Sequence, residues 1–442
     1  MDNKTNLLDK IHFDFEKAIN DLDALNNYYI ETSKTINQIK FKLEKQYKNG
    51  FLLANELDKI FSIPQQERNE FIEKLNEEIL FDDCKVSDLI NISLNSDYSL
   101  SYSMKTQSKA LDPNKAKTKL TSIYSYENIF VRSIICNIII VFEQYFSSQY
   151  ETLVVSNPEC YFEDRQIPVT ELFRSSIQKT LSNLISKEVE SNMFDSLKTL
   201  DKVKTKSKID IDRYISIRKE FEEIYYRRNV YVHAMGYANK MYIEHVDPKF
   251  TGDVKVGDKL VCDDVYLENA LLTTYKIICS LYFEMLNNAN AKPEDHNELL
   301  DIGFEALQNE KYKLAEYIFG LLRHKKDFEF SYRAIYEVDY ILALKLMNND
   351  ITKNLNEFDV SIATDNFRIA KECLLENFEN VYNMLMKTYP NSFCAQQIRE
   401  WPIFLGFRKS EYYTKFLDMH KKDFEVFVFE GEKQEESQLL LE

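Results

Sequence analysis

The sequence predicts a mainly α-helical protein, and three observations carry that prediction. Glycine and proline are scarce, 8 of each in 442 residues, too few for the tight turns of a sheet-rich fold. Residues 8–39 carry apolar side chains at alternating spacings of three and four, the period of a helix buried along one stripe. The middle of the chain holds two further long helix-period segments, Tyr124–Tyr150 and about 212–236. A chain this long suggests two or three domains. We read a helical or coiled-coil module with a linker at 1–120, a central helical bundle with a small β-hairpin insertion at 121–292, a C-terminal helical-repeat-like region at 293–430, and a disordered acidic tail at 431–442.

The N-terminal stripe is Leu8, Ile11, Phe15, Ala18, Leu22, Leu25, Tyr29, Thr32, Ile36 and Ile39. Such a seam packs either along its own domain or against a second chain in a coiled coil. After Gly50 the pattern shortens, and FLLANELDKIF and QERNEFIEKLNEEIL read as two short helices around Ile63–Pro64. Residues 92–120 are polar and read as a linker. Its lysines, Lys105, Lys109, Lys115, Lys117 and Lys119, form a local basic run.

The central part opens with the helix Tyr124–Tyr150. Its apolar run Ile134–Phe142, IICNIIIVF, is too short to span a bilayer and reads as a buried helix. Thr170 and Ser175 are candidate caps for the next helix. After the helix at about 212–236, MYIEHV and GDVKVGDKLVCDD carry strand and turn signals. A last helix, Tyr266–Asn290, precedes a boundary at Pro293. Beyond it, Gly303, Tyr312, Ala315 and Phe319 fall near the spacing of a tetratricopeptide helix pair.

The net charge is −16, which excludes a protein that coats nucleic acid through its overall field. The seven cysteines lie at 84, 136, 160, 262, 279, 373 and 394 without a CxxC pair, as expected of reduced thiols in a cytoplasm. The polar start, MDNKTNLLDK, does not read as a signal peptide. No P-loop, GxGxxG, GxSxG or HExxH occurs.

One stretch carries chemistry: YISIRKEFEEIYYRRNVYVHAMGY, Tyr214–Tyr237. Its apolar stripe is Tyr214, Ile217, Phe221, Ile224, Tyr231 and Met235, and Arg228 fills the gap at its position. A guanidinium on a core-facing stripe is costly unless paired, bound to an anion or at a subunit seam. Asn229 and His233 are four apart and share a helix face. Arg228 and His233 are five apart, which on a straight helix is about 140° around the axis and about 7.5 Å along it. They can meet through the reach of the arginine, a kink, or a second chain related by a twofold axis. Glu127, Arg132, Glu222 and Glu223 are the candidate supports for the site, since a buried Arg228 wants a carboxylate nearby. His245, within MYIEHV, reads as structural, and His12, His296, His324 and His420 as surface residues.

Residues RRNVYVHAMG, at the end of a long amphipathic helix and some way after another, resemble the HEPN superfamily. That family is marked by an arginine, often a following polar residue, and a histidine four to six residues on; here these are Arg228, Asn229 and His233. The flanks PVTELFRSSIQKTLSNLISKEVESNMF and VGDKLVCDDVYLENAL are similar to the branch found in bacterial defence. The resemblance covers about 121–290. It implies a helical domain, homodimerisation, and a metal-independent endoribonuclease without cofactor in a toxin or antiphage role. Arg228, His233 and Asn229 would be catalytic and Arg227 and Tyr231 would contact RNA. The 2′-hydroxyl would attack its own phosphate, His233 moving the proton and Arg228 balancing phosphate charge. One departure is Met235, where related toxins often carry a tyrosine two residues after the histidine; Tyr237 lies beyond it. The rival readings are an inactive dimerisation or RNA-binding scaffold and a regulatory subunit working with a partner. The flanks would sense a trigger, restrain the nuclease or fix the dimer.

Overall fold

The computed structural model describes residues 2–77, 79–81, 84–95, 99–105, 112–163, 166–167, 176–207, 209, 214–325, 328–359 and 364–425. The candidate caps Thr170 and Ser175, Lys109 and the acidic tail lie outside these residues. In chain order the elements are α1 (Asp2–Ser62), α2 (Arg68–Glu77), β1 (Ile79–Phe81), β2 (Cys84–Lys85), α3 (Val86–Leu89), β3 (Ile90–Leu94), β4 (Leu100–Met104), α4 (Pro113–Ser156), α5 (Pro158–Phe162), α6 (Ile177–Met193), α7 (Ser196–Ser207), α8 (Ile215–His233), α9 (Lys240–His245), α10 (Pro248–Thr251), α11 (Asp264–Asn288), α12 (Asn297–Gln308), α13 (Tyr312–Arg323), α14 (Phe330–Leu346), α15 (Thr352–Glu357), α16 (Asp365–Leu374) and α17 (Phe378–Thr388). Short helices continue from Ala395 to Glu425. The fold is mainly α with small antiparallel hairpins.

The chain divides into two compact units, each assembled from separated segments. One comprises Met1–Ile19, Phe142–Glu222 and Leu272–Glu442; the other comprises Asn20–Val141 and Glu223–Leu271. These units do not follow the three consecutive parts read from the sequence, because α1, α4, α8 and α11 contribute residues to both.

In the first unit, Phe15 of the N-terminal seam stacks on Tyr282 with ring centroids 3.7 Å apart. Tyr150, Phe142, Phe146 and Phe221 fill the same interior. In the C-terminal array, α12 and α13 approach so closely that a Cβ on Gly303 would lie 2.8 Å from Phe319. This is the small-residue contact expected from the tetratricopeptide-like spacing. His296, expected at the surface, is buried between the rings of Phe283 and Phe328, 5.8 and 5.0 Å away.

In the second unit the seam continues through buried Leu22, Tyr29 and Ile36. Tyr29 donates to Asp264 over 2.6 Å and lies 6.2 Å from the Phe130 ring. The seam thus packs along its own chain in both units. Helix α1 runs through Gly50 and absorbs FLLANELDKIF, where a separate helix was expected. A mid-helix glycine costs only about 1 kcal/mol, less than burying Leu53, Leu57 and Ile60 returns. The break at Ile63–Pro64 is present.

The hairpin sits elsewhere than expected. Residues 90–104, which from 92 on were read as linker, pair Ile90 with Met104 and Ile92 with Tyr102. Alternation turns Ile90, Ile92 and Leu94 onto the core formed by Leu53, Leu57, Ile72, Leu75 and Val86. MYIEHV, read as strand-like, is instead helix α9, capped by Asn239, whose side chain accepts from the Tyr242 amide over 2.9 Å. Only one bridge, between Tyr237 and Lys259, marks the expected hairpin.

Helix α4 is, among the described residues, the one helix long and apolar enough to cross a membrane. Ile134, Ile135, Ile138, Ile139 and Phe142 are nonetheless all 0% exposed, as the buried-helix reading requires.

Candidate active site

Helix α8 is an unbroken α-helix from Ile215 to His233. No kink therefore draws Arg228 and His233 to one face, and the separation of about 140° expected from regular geometry stands. The stripe Tyr214, Ile217, Phe221, Ile224 and Tyr231 is buried. Met235 is not part of it: the helix has ended, Met235 takes a left-handed φ of 52°, and its side chain is exposed.

The buried arginine of the motif is Arg227, while Arg228 is half-buried. Arg227 Nε donates to Glu223 Oε1 over 2.7 Å, and its Nη1 donates to the Val261 carbonyl over 2.7 Å. Its guanidinium lies 4.1 Å from the Tyr266 ring centroid. The same carboxylate accepts from Tyr242 and Tyr266, each over 2.6 Å. Burial works against the charged guanidinium, but Tyr266 and Glu223 beside it more than offset that, so its pKa is raised. Burial and the neighbouring Glu223 push both phenols up as well. Arg227 therefore ties α8 to α9, to the segment before α11 and to α11 itself. Arg227, expected as an RNA contact, thus has its guanidinium engaged in the interior. Tyr231 is likewise buried, donating to the Leu260 carbonyl over 3.4 Å, with burial pushing its hydroxyl up to about 12.

Arg228 places its guanidinium 5.2 Å over the Tyr225 ring. It lies close enough to Cys136 of α4 to act on that thiol, whose pKa burial raises and Arg228 lowers. Asn229 is half-buried and His233 is exposed as the last residue of α8. Two further features surround them. Arg132 of α4 donates through Nη2 to the Met235 carbonyl over 2.7 Å, and its guanidinium lies 5.6 Å over the Tyr231 ring. Gly236, with φ 87°, leaves room for that guanidinium; a Cβ there would lie 3.2 Å from both Arg132 and Tyr231. The other candidate supports are occupied elsewhere: Glu127 pairs with Lys40 at 2.9 Å and Glu222 with Arg218 at 3.0 Å.

The contacts of Arg132 with Tyr231 and Met235, and the electrostatic effect of Arg228 on Cys136, set α4 and α8 side by side and antiparallel here. In this unit Ile129 and Ile140 of α4, and Val232 and Met235 at and beyond the end of α8, are 65, 43, 54 and 74% exposed. Arg228 and Val232 are four apart and share one face of α8, while Met235 lies beyond the helix end. Sequence reasoning missed Glu223 as the partner of Arg227 rather than Arg228. The signal was their spacing of four. It also missed Tyr226 and His245, whose rings lie 5.2 Å apart.

Comparison with protein-family models, with curated proteins and with solved structures gives no match.

Proposed function

We propose that this chain is a metal-independent endoribonuclease that cleaves RNA by 2′-hydroxyl transesterification at a site built by two copies, acting in the cytoplasm in a toxin or antiphage role. The observation that carries the reading is the surface of α8. Arg228 is half-buried one turn before the exposed apolar Val232, and His233 emerges at the helix end around the corner from it. A second copy laid on Ile129, Ile140, Val232 and Met235 would bury apolar area that one chain leaves in water. By twofold symmetry it would bring a second Arg228 and a second His233 to the same cleft.

In the reaction the O2′–P bond forms and the P–O5′ bond breaks. A His233 imidazole takes the 2′-proton and a protonated imidazole delivers one to the leaving 5′-oxygen. Arg228 stabilises charge on the phosphate oxygens, and the Asn229 amide donates to them. The products carry a 2′,3′-cyclic phosphate and a 5′-hydroxyl.

The test is cleavage of a mixed RNA pool in EDTA by wild type and His233→Ala, with folding and size checked for both. Wild type is expected to leave cyclic-phosphate ends, and His233→Ala to be slower by about 10²–10⁴-fold. Equal cleavage by both, or none by wild type as a dimer, removes the proposal.

A further inference from the structure

We propose that the ring pair of Tyr226 and His245 is a nucleobase platform for single-stranded RNA, next to the phosphate site at Asn229 and His233. This inference rests on the endoribonuclease reading and names its substrate class. Tyr226, Asn229 and His233 stand at spacings of three and four, so they share one face of α8, with Tyr226 about 10 Å along the axis from His233. Helix α9 lays His245 against Tyr226, ring centroids 5.2 Å apart and planes inclined by 36°. His245 is an exposed residue, so an aromatic surface meets solvent on the side of α8 that carries the candidate histidine.

The imidazole is also oriented. His245 Nδ1 lies 2.9 Å from the Met241 carbonyl. A carbonyl only accepts, so Nδ1 carries the hydrogen in this contact. Position is fixed from beneath as well: Tyr242, one turn earlier on α9, is buried and bonded to Glu223 and Arg227. The buried clamp of the motif helix therefore also sets the platform.

Charge selects the occupant. With a net charge of −16, the chain gains little from nonspecific phosphate attraction. Stacking of a base on an aromatic ring does not need that attraction, and it requires unpaired bases. A duplex keeps its bases inside and offers the platform nothing.

The test is fluorescence anisotropy with labelled single-stranded RNA and a base-paired hairpin, in the His233→Ala background so that the probe survives. His245→Ala is expected to weaken single-strand binding roughly 5- to 100-fold, the range of one lost base stack. His245→Phe is expected to restore it, since Phe keeps the ring and loses the nitrogen. The ratio should be the same at low and high salt, unlike that for a lost phosphate contact, and hairpin binding should not change. Unchanged affinity for His245→Ala, no rescue by Phe, or no single-strand binding by the parent overturns the platform. Cleavage in EDTA separates the two proposals. Loss of cleavage on His233→Ala with normal binding by His245→Ala leaves the nuclease and removes the platform. Binding that depends on the His245 ring, in a chain that does not cleave, does the reverse.

Discussion

Glu223→Gln is the sharpest test of how the motif helix is held. Glu223 is 4% exposed and its carboxylate accepts from Arg227, Tyr242 and Tyr266. Glutamine offers one carbonyl oxygen to these three donors and adds an amide that faces them. Its larger effect is to leave the buried Arg227 charge without its counter-charge, a change that costs about 3–5 kcal/mol. Against a typical total of about 5–15 kcal/mol, that is a large fraction of one unit's stability. Adding Arg227→Met removes the stranded charge, so the double variant should be more stable than Glu223→Gln alone. Two units can unfold separately, so urea unfolding should be paired with hydrogen exchange across residues 236–262, the segment that Arg227 and Tyr242 hold. A Glu223→Gln protein within about 0.5 kcal/mol of wild type would refute the clamp. So would a double variant less stable than the single, or an Arg227→Met that flattens the salt dependence of RNA binding without losing stability.

Two further expectations follow from the rest of the chain. Asp339 is 1% exposed, accepts from the Trp401 indole over 2.9 Å, and is pushed by burial up to about 7 from an ordinary 3.8. Its folded pKa lies above its unfolded one, so folding is penalised little below pH 4, increasingly between 4 and 7, and fully above 7. Asp339→Asn keeps an acceptor for Trp401 and should stabilise by on the order of 4 kcal/mol above pH 7, with the gap closing by pH 4. Thermal unfolding across that range checks it, and a pH-independent gap refutes it. Leu22→Ala removes a side chain with 0% exposure and should cost about 2–5 kcal/mol without changing the sedimentation behaviour of the folded protein. Dissociation of a dimer by this substitution would mean that the seam also holds a second chain.

The helical class, the break at Pro64, the apolar seam of α1 (though not what it packs against) and the close approach at Gly303 were legible because each rests on local spacing or on a single residue's geometry. The hairpin at 90–104 was not. Its core-facing residues Ile90, Ile92 and Leu94 alternate as a strand should, but Asn91, Ser93 and the polar segment after Leu94 resemble a loop when the helices they cover are unknown. The converse error, MYIEHV, arose because alternating residues also fit a single helical turn and a half. The deciding features were Asn239 as a cap and the Asp247–Pro248 step after it.

The adjacent arginines show the limit most clearly. From Ile224 a helical stripe continues equally well at 227 or 228, three or four residues on, and either position leads to Tyr231. Period alone cannot say which is inside. The decision belongs to a carboxylate four residues before one of them and to two tyrosines, Tyr242 and Tyr266, that reach Glu223 from 19 and 43 residues away. Once Arg227 is held by that buried cluster, the rotation of α8 is set. Arg228 is left half-buried one turn before the exposed Val232, and Asn229 and His233 fall on the face of α8 that carries Tyr226, which meets His245. On the proposed function, the same substitution that loosens the clamp should disturb cleavage and base binding together, although Glu223 touches neither proposed site. Substitution of His233 should affect cleavage, and that of His245 binding, with the clamp intact. A Glu223→Gln protein that unfolds more easily yet, while folded, cleaves and binds like wild type would separate the clamp from the site. The arrangement of α8 would then have to be fixed by the α4 contacts of Arg132 instead.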